Sequence, residues 1–363
     1  MLEISKELLK IIEDNGYKAY IVGGFVRDIY LNRESIDVDI CTNAKPMEIQ
    51  RMFNNVKLDS KEYGSVSLRY KGIDFEITTF RKEIKYENNR NPVEIKYINS
   101  LDEDLKRRDF TINTLCMDKD GTIIDKFNGI NDINNKLIRV VGDPNQKLSE
   151  DSLRILRAIR FATVLDFTLE EETEKAIMKY SSLIKKLSYT RIKYELNHMF
   201  ISSNVKYGLD LLCKYNIDKL LGISNVKNIT ITNDMLGIWA QLNIDIFKWP
   251  FKKTERDLIS KIREVLNMKL DIFTLYNYGL YIFQLASKIK GKNTKKLVNY
   301  YMSLPIKSKK NILIDIDNIC KELNKEKGVW IKDLIEEIEK KIILKELNND
   351  EKEIKKFVIN KYK

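Results

Sequence analysis

Asp37-Val38-Asp39 lies nine residues beyond Gly23-Gly24-Phe25-Val26-Arg27-Asp28, and together these stretches hold residue types suited to a phosphate and a hard cation. Ile36 to Ile40 alternates apolar and acidic. That period predicts a strand with Asp37 and Asp39 on one face and Ile36, Val38 and Ile40 on the other. Carboxylates about 7 Å apart along a strand make a mouth for divalent ions. Upstream, Tyr20, Ile21 and Val22 read as a buried strand and Phe25 to Leu31 as a helix, so Gly23 and Gly24 fall at the turn between them. A phosphate fits such a turn, because glycine lets the backbone approach its oxygens, the first helical N–H groups lack partners, and Arg27 adds a forked cation.

The elements that must position these groups follow in order. Pro46 opens a helix to about Phe53. Ser65 to Tyr70 and Ile73 to Phe80, joined by Lys71-Gly72, read as a strand hairpin. Asp74, Glu76 and Thr78 share one face of its second strand, and a third carboxylate there would bind a further cation or orient an attacking hydroxyl. Arg81 to Pro92 is polar and irregular and reads as a surface loop. In Leu105-Lys106-Arg107-Arg108-Asp109-Phe110-Thr111-Ile112-Asn113, Asp109 is placed to cap a helix starting at Phe110, and Arg108 to reach a triphosphate or ribose. From Ser149, read as an N-cap, the pattern is helical. Asp151, Arg154, Arg157 and Arg160 lie on adjoining faces while Leu153, Leu156 and Ile159 point away. Ser188 starts a further helix carrying Arg191 and Glu195 one turn apart.

Phosphate turn, helix and acidic strand in this order resemble the polymerase-beta type of nucleotidyltransferase. Gly-Gly-x-Val-Arg-Asp, Arg107-Arg108-Asp109-Phe110-Thr111-Ile112-Asn113, and Glu150-Asp151-Ser152-Leu153-Arg154 resemble motifs of the class II tRNA nucleotidyltransferases, the CCA-adding enzymes and bacterial poly(A) polymerases. The resemblance implies an α/β catalytic head with a mixed sheet, followed by an all-α neck, body and tail. It implies transfer of nucleotides from CTP and ATP to a tRNA 3′ end with release of pyrophosphate. Asp37 and Asp39 would hold two Mg2+ ions, and Glu76 fits the family pattern better than Asp74 as third carboxylate. Gly23, Gly24 and Arg27 would hold the triphosphate, and Arg108 and Asn113 the sugar and phosphates.

Asp151 and Arg154 would read the base. Cytosine and adenine both present an amine donor beside a ring nitrogen acceptor, whereas uracil and guanine present a carbonyl beside a ring N–H. A carboxylate next to a guanidinium complements the first pattern and clashes with the second. Arg157 and Arg160 would face the triphosphate or hold the recognition helix, and the Arg191–Glu195 helix would brace it. Arg81, Tyr86, Arg90 and Pro92 resemble a flexible element used in adding the terminal A. Tyr63-Gly64-Ser65-Val66-Ser67 with Asp74 to Arg81 resembles the CCA-adding form more than the basic version found in poly(A) polymerases.

Composition sets the outer bounds. The 363 residues carry a net charge of +11, with 43% hydrophobic and 32% charged residues, as expected of a globular protein of two or three domains. Residues 251–363 hold 26 Lys and Arg against 16 Asp and Glu, which suggests a polyanionic partner. Cys41, Cys116, Cys213 and Cys320 are scattered without a C-x-x-C pair, so the expectation is neither disulfides nor zinc, and a reducing cytoplasm. The start reads as an amphipathic helix and not a signal for export. Ile272 to Ile289 is interrupted by Asn277, Gln284 and Ser287 and reads as a core helix, with no membrane span. A single histidine, His198, excludes mechanisms that need two. The expected division is a head at 1–141, a neck at 142–204, and a body and tail at 205–363 that bind tRNA. The competing readings are a poly(A) polymerase, a partial A-adding enzyme, and a non-catalytic RNA-binding protein.

Overall fold

A computed structural model describes the chain apart from residues 36, 55, 61–63, 88–90 and 363, with residues 58–60, 85–87 and 91–93 described by backbone alone. The chain forms two compact units, Met1–Lys227 with Phe247–Pro250, and Asn228–Ile246 with Phe251–Lys363.

The first unit is built on a sheet of seven strands among the described residues. These are β1 (Ala19–Val22), β2 (Val38–Thr42), β3 (Val56–Ser60), β4 (Ser65–Tyr70), β5 (Ile73–Thr79), β8 (Cys116–Met117) and β9 (Ile123–Ile124). Across the sheet they lie in the order β3-β4-β5-β2-β1-β8-β9. β2 and β5 run parallel and the other pairs antiparallel, so the sheet is mixed as expected. Helices α1 (Leu2–Asp14), α2 (Gly24–Tyr30) and α3 (Pro46–Met52) supply Leu8, Leu9, Ile12, Val26 and Ile49 to the core, all 0% exposed. Val38 and Ile40 are buried while Asp37 and Asp39 are exposed, which is the alternation read from the sequence. The strand itself begins only at Val38, so Asp37 precedes it, and the expected strand residue Ile36 lies outside the described residues.

Arg81 to Pro92 is not a loop over its whole length. β6 (Arg81–Glu87) and β7 (Asn91–Tyr97) pair antiparallel as a separate two-stranded ribbon. Such a ribbon needs no apolar stripe when it covers no core, and Ile84 is 50% exposed, so the period-two signal is hidden among charges. Arg90 and Tyr63 lie outside the described residues, as do the side chains of Tyr86 and Pro92.

The elements that follow are α4 (Leu101–Lys106), α5 (Gly129–Asn134), α6 (Pro144–Glu150), α7 (Leu153–Leu165), α8 (Glu171–Tyr180) and α9 (Tyr189–Phe200). Two expectations are corrected here. The residues after Asp109 form a single 3-10 turn, Thr111–Asn113, because the chain leaves at once into β8. The helix expected from Ser149 is two helices. Ser149 sits inside α6, whose N-terminus is capped by Asp143, and α7 starts after Ser152. Asp151 bridges them in an extended conformation, φ −132° and ψ 95°.

The second unit is helical. Lys253–Leu266, Ile272–Ile289, Trp330–Ile343 and Glu351–Tyr362 are its longest elements, and Leu334, Ile338, Ile342, Ile354 and Val358 form one of its cores. Ile272–Ile289 is broken at Gly279, whose φ of 76° and ψ of 172° no helix contains. Among the described residues no helix is long and apolar enough to cross a membrane.

Candidate active site

A cavity of about 670 Å³ in the first unit is lined by Gly23, Gly24, Arg27, Asp37, Asp39, Arg108, Asn113, Asp151, Arg154, Arg157 and Arg160, so the structure gathers eleven of the twelve sequence-derived site residues around one space. The twelfth, Glu76, is the register partner of Asp39 across the parallel β2–β5 pair and lines an adjoining cavity that shares Asp37.

Gly23 makes the turn that opens this space. Its φ of 81° belongs to glycine, and a Cβ there would point at Asp39 Oδ2, 4.0 Å away, and Arg108 Nη1, 3.7 Å away. The bare backbone thus faces both a carboxylate and a cation. Arg27 reaches the same wall but is engaged within it. Its Nη1 donates to Asn113 Oδ1 at 2.6 Å, and its Nε and Nη2 donate to Asp28 at 2.9 and 3.0 Å. Arg27 and Asn113 therefore brace each other. Arg108 donates to the buried Asp104 at 3.4 Å and keeps a buried Nε with no partner.

Asp39 is reached by solvent through the cavity, yet its carboxyl is pushed up to about 6. Burial is the largest cause, Glu76 and Asp37 add repulsion, and Arg108 pulls the other way. A carboxylate surrounded by two others in this way is short of positive charge, and this donor set fits a divalent cation. No group of three or more His, Cys, Asp or Glu able to cage a metal occurs among the described residues. A magnesium-type site does not require one, since substrate phosphates and water complete the coordination around one or two carboxylates.

The far wall comes from α6, α7 and α9. Arg154 is 5% exposed and donates through Nη2 to the Arg107 carbonyl at 2.8 Å. Its Nε stands 3.9 Å from Asp151, and its Nη1 is buried without a partner. Asp151 accepts from the Leu153 N–H at 3.1 Å. Burial pushes its carboxyl up to about 6, against the pull of Arg154. Arg160 pairs with Glu195 at 2.6 Å and Arg157 stands 3.9 Å from the same carboxylate, so α9 braces α7. Glu195, not an Arg191–Glu195 pair, makes this contact, and Arg191 is exposed and lines the cavity.

Two contributors, Phe161 and Glu83, were not singled out from the sequence, and a third, Asp109, has a larger role than the cap read there. Phe161 lies under the guanidinium carbons of Arg27, Arg157 and Arg160, at 5.2, 5.3 and 4.1 Å from its ring centre. Glu83, from the root of β6, stands 3.5 Å from Arg81 and 3.8 Å from Arg107. Asp109, read only as a cap, is a hub. Its Oδ1 accepts from Phe110 N at 2.8 Å and Asn113 Nδ2 at 3.1 Å, and its Oδ2 from Arg157 Nε at 2.7 Å. Its partner Arg157 lies 48 residues away, so no local signal carries that role, whereas Phe161 could have been found one residue after Arg160 on the same helix.

Burial opposes ionisation of Asp109, but Arg157 and Asn113 outweigh it and hold the carboxyl at about 2. Its stabilising effect is therefore complete above the unfolded value near 3.8 and is lost as pH falls through about 2. Asp109→Asn should cost about 2 to 3 kcal/mol at pH 7, somewhat less than a fully buried pair, because the Arg157 side chain remains 32% exposed. Urea unfolding of both proteins should show that gap at pH 7 and a shrinking one towards pH 2. A gap independent of pH would mean the ion pair contributes nothing.

Three family models match successive parts of the chain. Residues 19–139 match the family model described as the poly A polymerase head domain, 166–221 the probable RNA and SrmB-binding site of polymerase A, and 239–358 a putative tRNA nucleotidyltransferase domain 2. A CCA-adding enzyme of Geobacillus sp. is 33% identical, covering 98% of this chain and 96% of its own. That of Lactobacillus johnsonii is 36% identical, covering 97% and 95%. The crystal structure of the Bacillus stearothermophilus CCA-adding enzyme in complex with CTP superimposes with a TM-score of 0.89 at 26% identity, covering 99% of this chain and 97% of that one. Fold and relatives together define a nucleotidyltransferase with a head of poly(A) polymerase type. Within that class, the chain belongs to the CCA-adding enzyme family of tRNA nucleotidyltransferases.

Proposed function

We propose that this protein rebuilds the 3′-terminal CCA of tRNA from CTP and ATP, joining one nucleotide at a time to the terminal hydroxyl and releasing pyrophosphate, without a nucleic-acid template. The observation that carries this reading is likeness to CCA-adding enzymes over nearly the whole chain, at 33 to 36% identity, around a cavity that unites a glycine turn, paired carboxylates and an Asp–Arg pair. Catalysis belongs to a head at 1–141, base reading to a neck at 142–204, and RNA binding to a basic body and tail at 205–363. We place the reaction in the cytoplasm.

In this reading the Gly23-Gly24 turn and Arg108 receive the triphosphate, while Arg27 and Asn113 keep the turn in shape. Asp151 accepts the exocyclic amine of C or A, and the unpartnered Nη1 of Arg154 donates to the ring nitrogen. Asp109 and Glu195 hold the recognition helix in place through its Arg157 and Arg160. Asp37 and Asp39 would hold Mg2+, which supplies charge neutralisation at the reacting phosphate and acidifies the attacking hydroxyl. Glu76 is the third carboxylate, because it stands opposite Asp39, whereas Asp74 pairs with Arg69 at 3.5 Å on an exposed surface.

The test is to incubate the purified protein with tRNA lacking CCA and all four nucleoside triphosphates, then sequence the product ends. Products ending in CCA and growing no further support the reading. Runs of A would indicate a poly(A) polymerase, and no extension a binding protein.

The β6–β7 ribbon gives a further expectation. Replacing residues 84–94 by a short glycine link keeps Glu83 at the root, and should spare both C additions while stopping A addition. Primers ending in CC, supplied with ATP, should stall. Equal loss of all three steps would make the ribbon a folding element only.

A further inference from the structure

Strand order has a consequence for the path of the RNA. β2, which carries Asp39, has β1 and its glycine turn on one side and β5, β4 and β3 on the other. In-line displacement at phosphorus brings the attacking oxygen in opposite the departing pyrophosphate. With the triphosphate at the Gly23 turn, the hydroxyl must approach from the β5 side.

On that side the register lays out a straight row on one face. Asp39 stands opposite Glu76, Glu76 opposite Ser67, and Ser67 opposite Lys57. Neighbouring strands are about 4.8 Å apart, so the row ends in a cation about 14 Å from Asp39. Arg69, two residues along β4 from Ser67 and therefore on the same face, is 68% exposed, and its only ion pair among the described residues is a surface one with Asp74 at 3.5 Å, which solvent screens and a phosphate can replace. A cavity of about 540 Å³ runs under these residues and shares Asp37 with the catalytic cavity.

We propose that this row seats the 3′ end of the RNA acceptor strand, with the terminal hydroxyl at Asp39 and Glu76 and the preceding phosphodiesters on Lys57 and Arg69. A stacked strand advances about 3.4 Å along its axis per nucleotide, so a row of about 14 Å is long enough for the last few nucleotides. The proposal rests on the nucleotidyl-transfer reading above. The competing explanation for Lys57 is that β3 is an edge strand, where a lysine discourages pairing with other chains.

Lys57→Ala and Arg69→Ala decide between them, assayed in the full-length protein with an acceptor-stem minihelix ending in CC and with ATP. Each should raise KM for the minihelix about five- to tenfold, with kcat and KM for ATP within about twofold of wild type. The slope of log KM against log salt should become shallower by about 0.7 for each phosphate that no longer meets a cation. Lys57→Arg should restore the wild-type KM. Unchanged minihelix KM in both alanine variants, or a change that falls on ATP instead, overturns the proposal. Failure of the wild-type protein to extend the minihelix at all would overturn the nucleotidyl-transfer reading instead.

Discussion

Asp39→Asn should lower single-turnover incorporation of both C and A by on the order of 10⁴-fold, with tRNA affinity nearly unchanged. In the proposed reaction every addition uses the same carboxylates, so no step should be spared, and Asp37→Asn should behave alike. The same variant should be no less stable than wild type. A carboxyl held at about 6 by burial, Glu76 and Asp37 is costly to ionise in the folded, metal-free protein. That cost accrues as pH rises from the unfolded value near 3.8 through about 6 and is fully present above it. Without divalent cations at pH 7.5, Asp39→Asn should therefore melt at or above the wild-type temperature, and near pH 4 the two should converge. Substantial residual incorporation would remove Asp39 from the chemistry. A clear loss of stability would mean its charge is needed by the fold.

Replacing Asp151 or Arg154 by Ala should cut C and A incorporation and also lower the preference for CTP over UTP, each lost charge-assisted hydrogen bond being worth about 1.5 to 3 kcal/mol. The structure sharpens this for Arg154. Its Nη2 serves the Arg107 carbonyl, so part of the loss in Arg154→Ala is structural, while the buried, unpartnered Nη1 is the group available to a base. Arg154→Lys separates the two, because a lysine keeps the charge but cannot serve both partners at once. For Asp151 the carboxyl near 6 adds a pH signature. CTP affinity should fall as pH drops through about 6, when the acceptor becomes protonated, and this dependence should vanish in Asp151→Asn. The decisive quantity is the CTP-over-UTP ratio of kcat/KM. If it is unchanged while overall activity drops, the pair is structural and selectivity is built elsewhere.

Where sequence periodicity reported on a buried face, it positioned the site well. Val38 and Ile40 are buried, so the alternation that exposes Asp37 and Asp39 was legible, and the Lys71-Gly72 turn fixed the β4–β5 hairpin. Which acid of β5 meets Asp39 was not legible, because register comes from pairing between strands distant in sequence. The β6–β7 ribbon escaped because it buries no apolar stripe. The break at Asp151 escaped because the helical period runs through it; the backbone is extended there, and the carboxylate stands 3.9 Å from Arg154 Nε. Asp109 shows the remaining limit, since its partner Arg157 lies 48 residues away and only the fold brings them together.

In the proposed function, protein groups alone choose C, then C, then A. The direct measurement supplies each nucleoside triphosphate separately to three tRNAs, ending before CCA, after C and after CC, and records single additions. CTP should extend the first two, ATP the third, and UTP and GTP none. ATP extension of all three, or activity confined to the tRNA ending in CC, would rule this selection out.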